Sequence, residues 1–301
     1  MNEKRFATMA TLVALFLFAA GCAEVVQVGT TASQQMGVIS AQDKAAIDRT
    51  AAATASAARP MTEKEEYYLG RAVAATILSQ YALDDDERLT GYVNRVGQAL
   101  AMISEVPLTY GGYHFAILAS DEVNALSCPG GIIFISRGML SRVMNEEELA
   151  AVLAHEIAHV NHRDGAKAIK SSRWIEVVTS LGSGLAEKYG PAELTKLTSL
   201  FEGSVNDVVK MLVTTGYSRE QEMAADQSAL VFVHRLGYDP NGLAAYVGRL
   251  SKEQKAGDKR GFFSTHPKMA DRLVVIRETI GKNNWKQMDH GVRDKRFKSN
   301  A

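Results

Sequence analysis

The chain has 301 residues, 46% of them hydrophobic and 23% charged, with 34 basic residues balanced by 34 acidic ones. That is ordinary globular composition, long enough to bury one large core or two small ones. The zero net charge excludes the basic excess expected of a nucleic-acid binder.

The N-terminus reads as an export signal. Lys4 and Arg5 form a short positive region, and Phe6 to Ala20 is an apolar run. It is too short for a comfortable membrane span and right for the core of a signal peptide. Ala19-Ala20-Gly21 then precedes Cys22. This resembles the lipobox of bacterial lipoproteins, with Ala19 where leucine is usual, and implies removal of residues 1–21 and lipidation of Cys22. Secretion after a small-residue site is the alternative. Ala23 in place of an aspartate implies, by resemblance to enterobacterial sorting, the periplasmic face of the outer membrane. A lipidated Cys22 leaves Cys128 without a disulfide partner. A lone cysteine in an apolar strand reads as a small buried hydrophobe rather than a nucleophile. Residues 22–60, rich in Ala, Ser, Thr and Gln, read as a flexible tether in which Ala41 to Ala58 is a weak helix.

The folded domain is expected over residues 61–281. Thr62 with Glu65 makes a capping box for a helix from Glu63 to Tyr81. Asp84 to Asp86 put negative charge at the start of a second helix, with Leu89, Val93, Val96, Leu100 and Ile103 as its apolar stripe. A strand follows at Tyr113 to Leu118. Asn124 to Cys128, then Pro129-Gly130-Gly131, then Ile132 to Ile135 read as strand, turn and strand. A short helix over Arg137 to Met144 comes next.

The following segment, Glu146 to Asn161, contains His155-Glu156-Ile157-Ala158-His159. Asn145 and Glu148 cap its start, and Leu149, Val152, Leu153, Ile157 and Val160 recur as an amphipathic helix requires. Histidines four apart on a helix lie one turn apart on one face, where two neutral imidazoles can bind one Zn²⁺. Glu156, about 100° round the helix, can reach a water at the metal without being a ligand, the position of a general base. This pattern arises by chance in roughly one chain in a hundred of this length.

Asp164-Gly165 closes that helix. Ala166 to Thr214 is helical in pattern but interrupted at Gly182, Gly184 and Gly190-Pro191, with no apolar run of about 18 residues that could span a membrane. A helix from Ser218 to Leu236 carries Glu222 and Asp226. After a turn at Tyr238-Asp239-Pro240 come a helix to Leu250, a loop from Gly257 to Ser264, and Thr265-His266-Pro267 opening a last helix to Ile280. Residues 282–301, with Arg293, Lys295 and Arg296, read as a solvated basic tail. A catalytic zinc takes three protein ligands and keeps one position open. Glu222 suits the third, and Asp226 one turn later suits acceptance of a liganding histidine's outer N–H. His114, His162, His234 and His290 have no spacing that implicates them.

His155-Glu156-x-x-His159, Glu222-x-x-x-Asp226 after Ser218-Arg219, Asn124-Ala125 with Pro129-Gly130-Gly131, and Ser264-Thr265-His266-Pro267 with Arg272 form a set. That set resembles the M48 family of zinc metallopeptidases, over Thr62 to Ile280. The resemblance implies a mostly helical α+β fold, a zincin-like core with a small mixed β-sheet beside the active-site helix. It implies one Zn²⁺ per subunit on His155, His159 and Glu222, with Glu156 as base. His266 polarises the scissile carbonyl, fills the open zinc position, or caps its loop; Arg272 positions His266 or substrate, or pairs with an acid. Relatives such as the heat-shock protease and the CAAX prenyl protease cross membranes many times. This chain is similar instead to the soluble lipoprotein branch, without the helical-repeat extension of some members. The implied activity is an envelope endopeptidase for unfolded or misassembled proteins, serving protein quality control, with the envelope assembly machinery as a further partner. The Asn124–Ile135 hairpin would pair with an extended peptide. Two rival readings keep the groove and change the chemistry: a chaperone or assembly factor without hydrolysis, and a zinc amidase acting on peptidoglycan.

Overall fold

A computed structural model describes residues 23–45, 47–48, 61–169, 202–255, 265–266, 269–285 and 290–300. The expected signal peptide, Cys22, the glycine breaks at 182–191 and the 257–264 loop lie outside these residues. The chain divides into two compact units, Met1–Met61 with Ser171–Leu185 and Thr62–Lys170 with Ala186–Ala301. In the first, helix α1 (Ala23–Gln35) occupies part of the expected tether, and Thr30 Oγ1 donates to Asp48 Oδ1 at 2.5 Å.

The second unit opens with α2 (Glu63–Leu78), capped as expected: Glu65 N donates to Thr62 Oγ1, and Thr62 N to Glu65 Oε2 at 2.8 Å. Asp86 caps α3 (Glu87–Met102), which buries Leu89, Tyr92, Val93, Val96 and Leu100. Asp84 instead receives a forked pair of bonds from Arg137, at 2.8 and 2.6 Å. Three strands follow, β1 (His114–Leu118), β2 (Ala125–Ser127) and β3 (Ile132–Ser136). The expected hairpin is present, β2 antiparallel to β3, while β1 pairs in parallel with the other side of β3. The order β1-β3-β2 leaves β2 at an edge of this small mixed sheet. Its turn needs the glycine pair, because Gly130 and Gly131 adopt φ of 76° and 103°.

The short α4 (Arg137–Leu140) leads to α5 (Glu146–Asn161), the centre of the unit. Here expectation and structure differ: α5 is buried on all sides from Glu146 to Val160 rather than along one stripe. The sheet, α3, α8 (Arg219–Arg235) and α9 (Asn241–Lys255) all pack around it. A helix enclosed on every side must bring partners for its polar groups, and three glutamates at its start have them. Arg249 pairs with Glu148, Arg293 with Glu147 and Arg296 with Glu146. The first of these cations lies on α9. The other two lie on α11 (Gly291–Asn300), so the basic segment read as a solvated tail includes a helix whose arginines pair with two buried carboxylates. The remaining elements are α6 (Asp164–Lys167), α7 (Glu202–Lys210) with a π-turn at Met211–Thr215 that packs against β2, and α10 (Met269–Lys282). No helix among the described residues is long and apolar enough to cross a membrane. The mostly helical α+β architecture expected from sequence is the one observed.

Candidate metal centre

Because α5 is regular, its two histidines project together, and Nε2 of His155 lies 3.2 Å from Nε2 of His159. Ser218 starts α8 with a capping box shared with Gln221, which sets Glu222 in the first turn facing α5. The Glu222 oxygens lie 3.6 Å from His155 Nε2 and 3.5 Å from His159 Nε2. His266 adds a fourth donor, its Nδ1 2.8 Å from Glu222 Oε1 and 3.4 Å from His155 Nε2. Donor atoms of these four residues all fall within 4.8 Å of one another.

The outer nitrogens are also engaged. His155 Nδ1 lies 3.1 Å from Asp226 Oδ1. His159 Nδ1 lies 2.9 Å from Asp164 Oδ2, a partner the spacing did not suggest. Asp164 folds back because Arg163 takes a left-handed φ of 58°, a conformation uncommon outside glycine. Arg272 is fully buried and grips Asp226 through two bonds of 2.8 and 2.7 Å while its third nitrogen lies 2.5 Å from Glu222. Of its three possible roles from sequence, the structure places it against the acids, not against His266.

Electrostatics follow from this packing. Burial raises the carboxyls of Glu222 and Asp226, but Arg272 together with the neighbouring histidines outweighs it and holds both below their usual range. Burial lowers His155. It also opposes charge on His159, where Asp164 and Glu222 prevail and push the imidazole up to about 9.

The residues fit a divalent cation on three observations. Two ligands about 2.0–2.1 Å from one tetrahedral ion lie about 3.4 Å apart, which is the spacing among the donors of His155, His159 and Glu222. Glu156 is fully buried, yet neither carboxylate oxygen has a hydrogen-bond partner among the described residues, an arrangement that costs stability unless water or a cation completes it. Finally, four carboxylates cluster here (Glu156, Asp164, Glu222 and Asp226), and among the described residues the lysine and arginine side chains paired with them are Arg272 and Lys167. With neutral imidazoles that leaves the formal charge one divalent ion balances.

Tyr217 also escaped sequence reasoning. Its ring lies flat on His159, with centroids 3.7 Å apart and planes 7° from parallel; its place immediately before Ser218-Arg219 was the available signal. Cys128 is a fully buried free thiol, raised by burial and then by the charge of Glu156, which keeps it protonated.

Comparison with known proteins gives a consistent picture. The profile of Peptidase family M48 matches residues 87–280. The Beta-barrel assembly-enhancing protease of Escherichia coli (strain K12) is 26% identical over 227 residues, covering 74% of this chain and 45% of that protein. Metalloprotease LoiP of the same strain is 26% identical over 219 residues, covering 72% of this chain and 77% of the relative. Mitochondrial metalloendopeptidase OMA1 of Schizosaccharomyces pombe is 27% identical over 208 residues, 68% of this chain and 58% of the relative. The chain thus spans about half the length of the assembly-enhancing protease.

Proposed function

This chain belongs to peptidase family M48, and from that premise we propose a zinc endopeptidase of the bacterial envelope that cleaves unfolded or misassembled proteins. One observation carries the reading: the donors of His155, His159 and Glu222 converge beside a buried glutamate whose oxygens no described residue satisfies. Two imidazoles and a carboxylate suit Zn²⁺, one ion per subunit.

His155, His159 and Glu222 would hold the ion. When bound, zinc supplies Lewis acidity, lowering the pKa of water toward about 7 and polarising a carbonyl. Glu156 accepts the proton of the attacking water on a carboxylate oxygen and returns it to the leaving nitrogen. Asp226 and Asp164 hold protons on Nδ1 of His155 and His159, which leaves each Nε2 lone pair facing inward. Arg272 keeps Asp226 oriented for that task. His266 stands with the ligands rather than with Glu156, whose Oε1 is 3.8 Å from its Nε2. That position favours the fourth-donor reading, a closed site that the Thr265–His266 segment must leave before a peptide carbonyl can enter. The donors and Glu156 are buried, so the site is shut off from bulk solvent until then. An extended peptide would pair with β2, one of the sheet's two edge strands.

The pattern ending in Cys22 supports a lipid anchor at the periplasmic face of the outer membrane. The relative named for β-barrel assembly supports envelope assembly machinery as a partner. The test is digestion of casein by the purified mature chain before and after chelation, with zinc restored in a third sample. Cleavage should stop and return. Cleavage that survives metal removal would sink the proposal, and fragments from cell-wall sacculi with none from casein would make the chain an amidase.

A further inference from the structure

Tyr217 touches four parts of the site at once. It follows Gly216, whose φ of +72° matters because a Cβ there would lie 2.3 Å from Thr265 O. That close approach lets Tyr217 N donate to Thr265 O at 3.0 Å, next to His266. On its other side Tyr217 adjoins Ser218, the N-cap of the helix that carries Glu222. Its ring stacks on His159 at 3.7 Å. Its Oη lies 3.0 Å from Ser127 Oγ, on edge strand β2. Tyr217, Ser127 and His159 are all buried.

These contacts differ in what they can transmit. A stacked ring restricts rotation of the imidazole plane, complementing the Asp164 bond at its Nδ1. A buried hydroxyl pair is directional, and its loss leaves a polar atom unsatisfied. Between them they join the strand proposed to hold peptide to the histidine proposed to hold the ion. We propose that Tyr217 is a positioning residue that fixes His159 through its ring and aligns edge strand β2 with the metal centre through its hydroxyl. This rests on the peptidase reading above. The ring and the hydroxyl act separately: the ring governs how well the metal is held, and the hydroxyl governs how a bound peptide lies relative to it.

The experiment uses the full mature chain as wild type, Tyr217→Leu, Tyr217→Phe, Ser127→Ala, the Phe/Ala double variant and Glu156→Gln. Zinc affinity is read by competition with a chromophoric chelator, the ligand field by the visible spectrum of the cobalt form, and kcat and KM on an unfolded peptide. Tyr217→Leu should weaken zinc binding about tenfold, the lower end for partners that orient ligands, and shift the cobalt spectrum. Tyr217→Phe, which keeps the ring, should restore both. Tyr217→Phe and Ser127→Ala should each lower kcat severalfold at constant KM, and the double variant should be no slower than either, because they break one bond. Wild-type zinc affinity and spectrum in Tyr217→Leu would overturn the ring's role; if that variant does not fold, Tyr217→Phe with weakened zinc binding does the same. Multiplying effects in the double variant, or a change confined to KM, would overturn the hydroxyl's role. Absence of cleavage by the zinc-loaded wild type would instead overturn the peptidase reading, and full cleavage by Glu156→Gln would remove Glu156 as its base, while the affinity and cobalt measurements still judge Tyr217.

Discussion

Replacing Arg296 by glutamine should destabilise the catalytic unit although the residue lies far along the chain from the site. Glu146 is fully buried at the start of α5 and receives Arg296 Nε at 2.7 Å, Tyr92 Oη at 2.8 Å and Tyr238 Oη at 2.7 Å. Burial raises that carboxyl, and the hydrogen bonds from Arg296 first, then from the two tyrosines, pull it below its usual range. The substitution removes charge-assisted bonds worth about 1.5–3 kcal/mol before screening. Arg296 is 46% exposed in its side chain, and both tyrosines remain, so about 2 kcal/mol is the reasonable loss. For a unit of this size that lowers Tm by about 4–8 °C. The sign with pH follows from the lowered carboxyl. The contribution is complete above the unfolded value near 4.3 and is lost as pH falls through the folded value. Thermal melts by circular dichroism at neutral pH and below about pH 4 should therefore show a difference that shrinks in acid. Equal Tm values at neutral pH, or a gap that stays constant into acid, would refute the account and return residues 291–300 to a solvated tail.

The other substitutions address the site and the anchor. Asp226→Asn should weaken zinc binding about 10–100-fold, measured by chelator competition, because His155 Nδ1 loses a charged acceptor and Arg272 loses one of the two oxygens it binds; unchanged affinity would show that Asp226 orients nothing. His266→Ala should retain zinc and shorten any lag before casein cleavage, followed by a fluorogenic substrate in stopped flow. A slower steady state with no change in lag would move His266 to the oxyanion. Cys22→Ser should release the protein from the membrane fraction and abolish palmitate labelling, and membrane retention without label would remove the lipid anchor from the proposal.

Much of the site was legible because its chemistry is local. His155 and His159 meet through helical periodicity alone, and Glu222 and Asp226 share a face for the same reason. The strand pair around Pro129-Gly130-Gly131 was legible from its turn residues. Asp164 was not, because it reaches His159 only through a left-handed residue, Arg163, that no propensity favours. Tyr217 depends on the close passage of Gly216 by Thr265, a tertiary contact between segments distant in sequence. Arg293 and Arg296 were misread because a basic run looks solvated until its acidic counterpart is seen buried. Glu146 and Glu147 stand in the first turn of a helix, where acids have a local reason to occur. For Tyr217 and the two arginines the missing information was which surfaces meet.

The most direct test of the central claim separates holding the metal from using it. Metal content and casein cleavage are measured together for wild type, Glu156→Gln and Glu222→Gln. The account predicts one zinc per chain in wild type and Glu156→Gln, cleavage only in wild type, and weakened zinc retention in Glu222→Gln. Cleavage by zinc-loaded Glu156→Gln, or full zinc retention by Glu222→Gln, would contradict it.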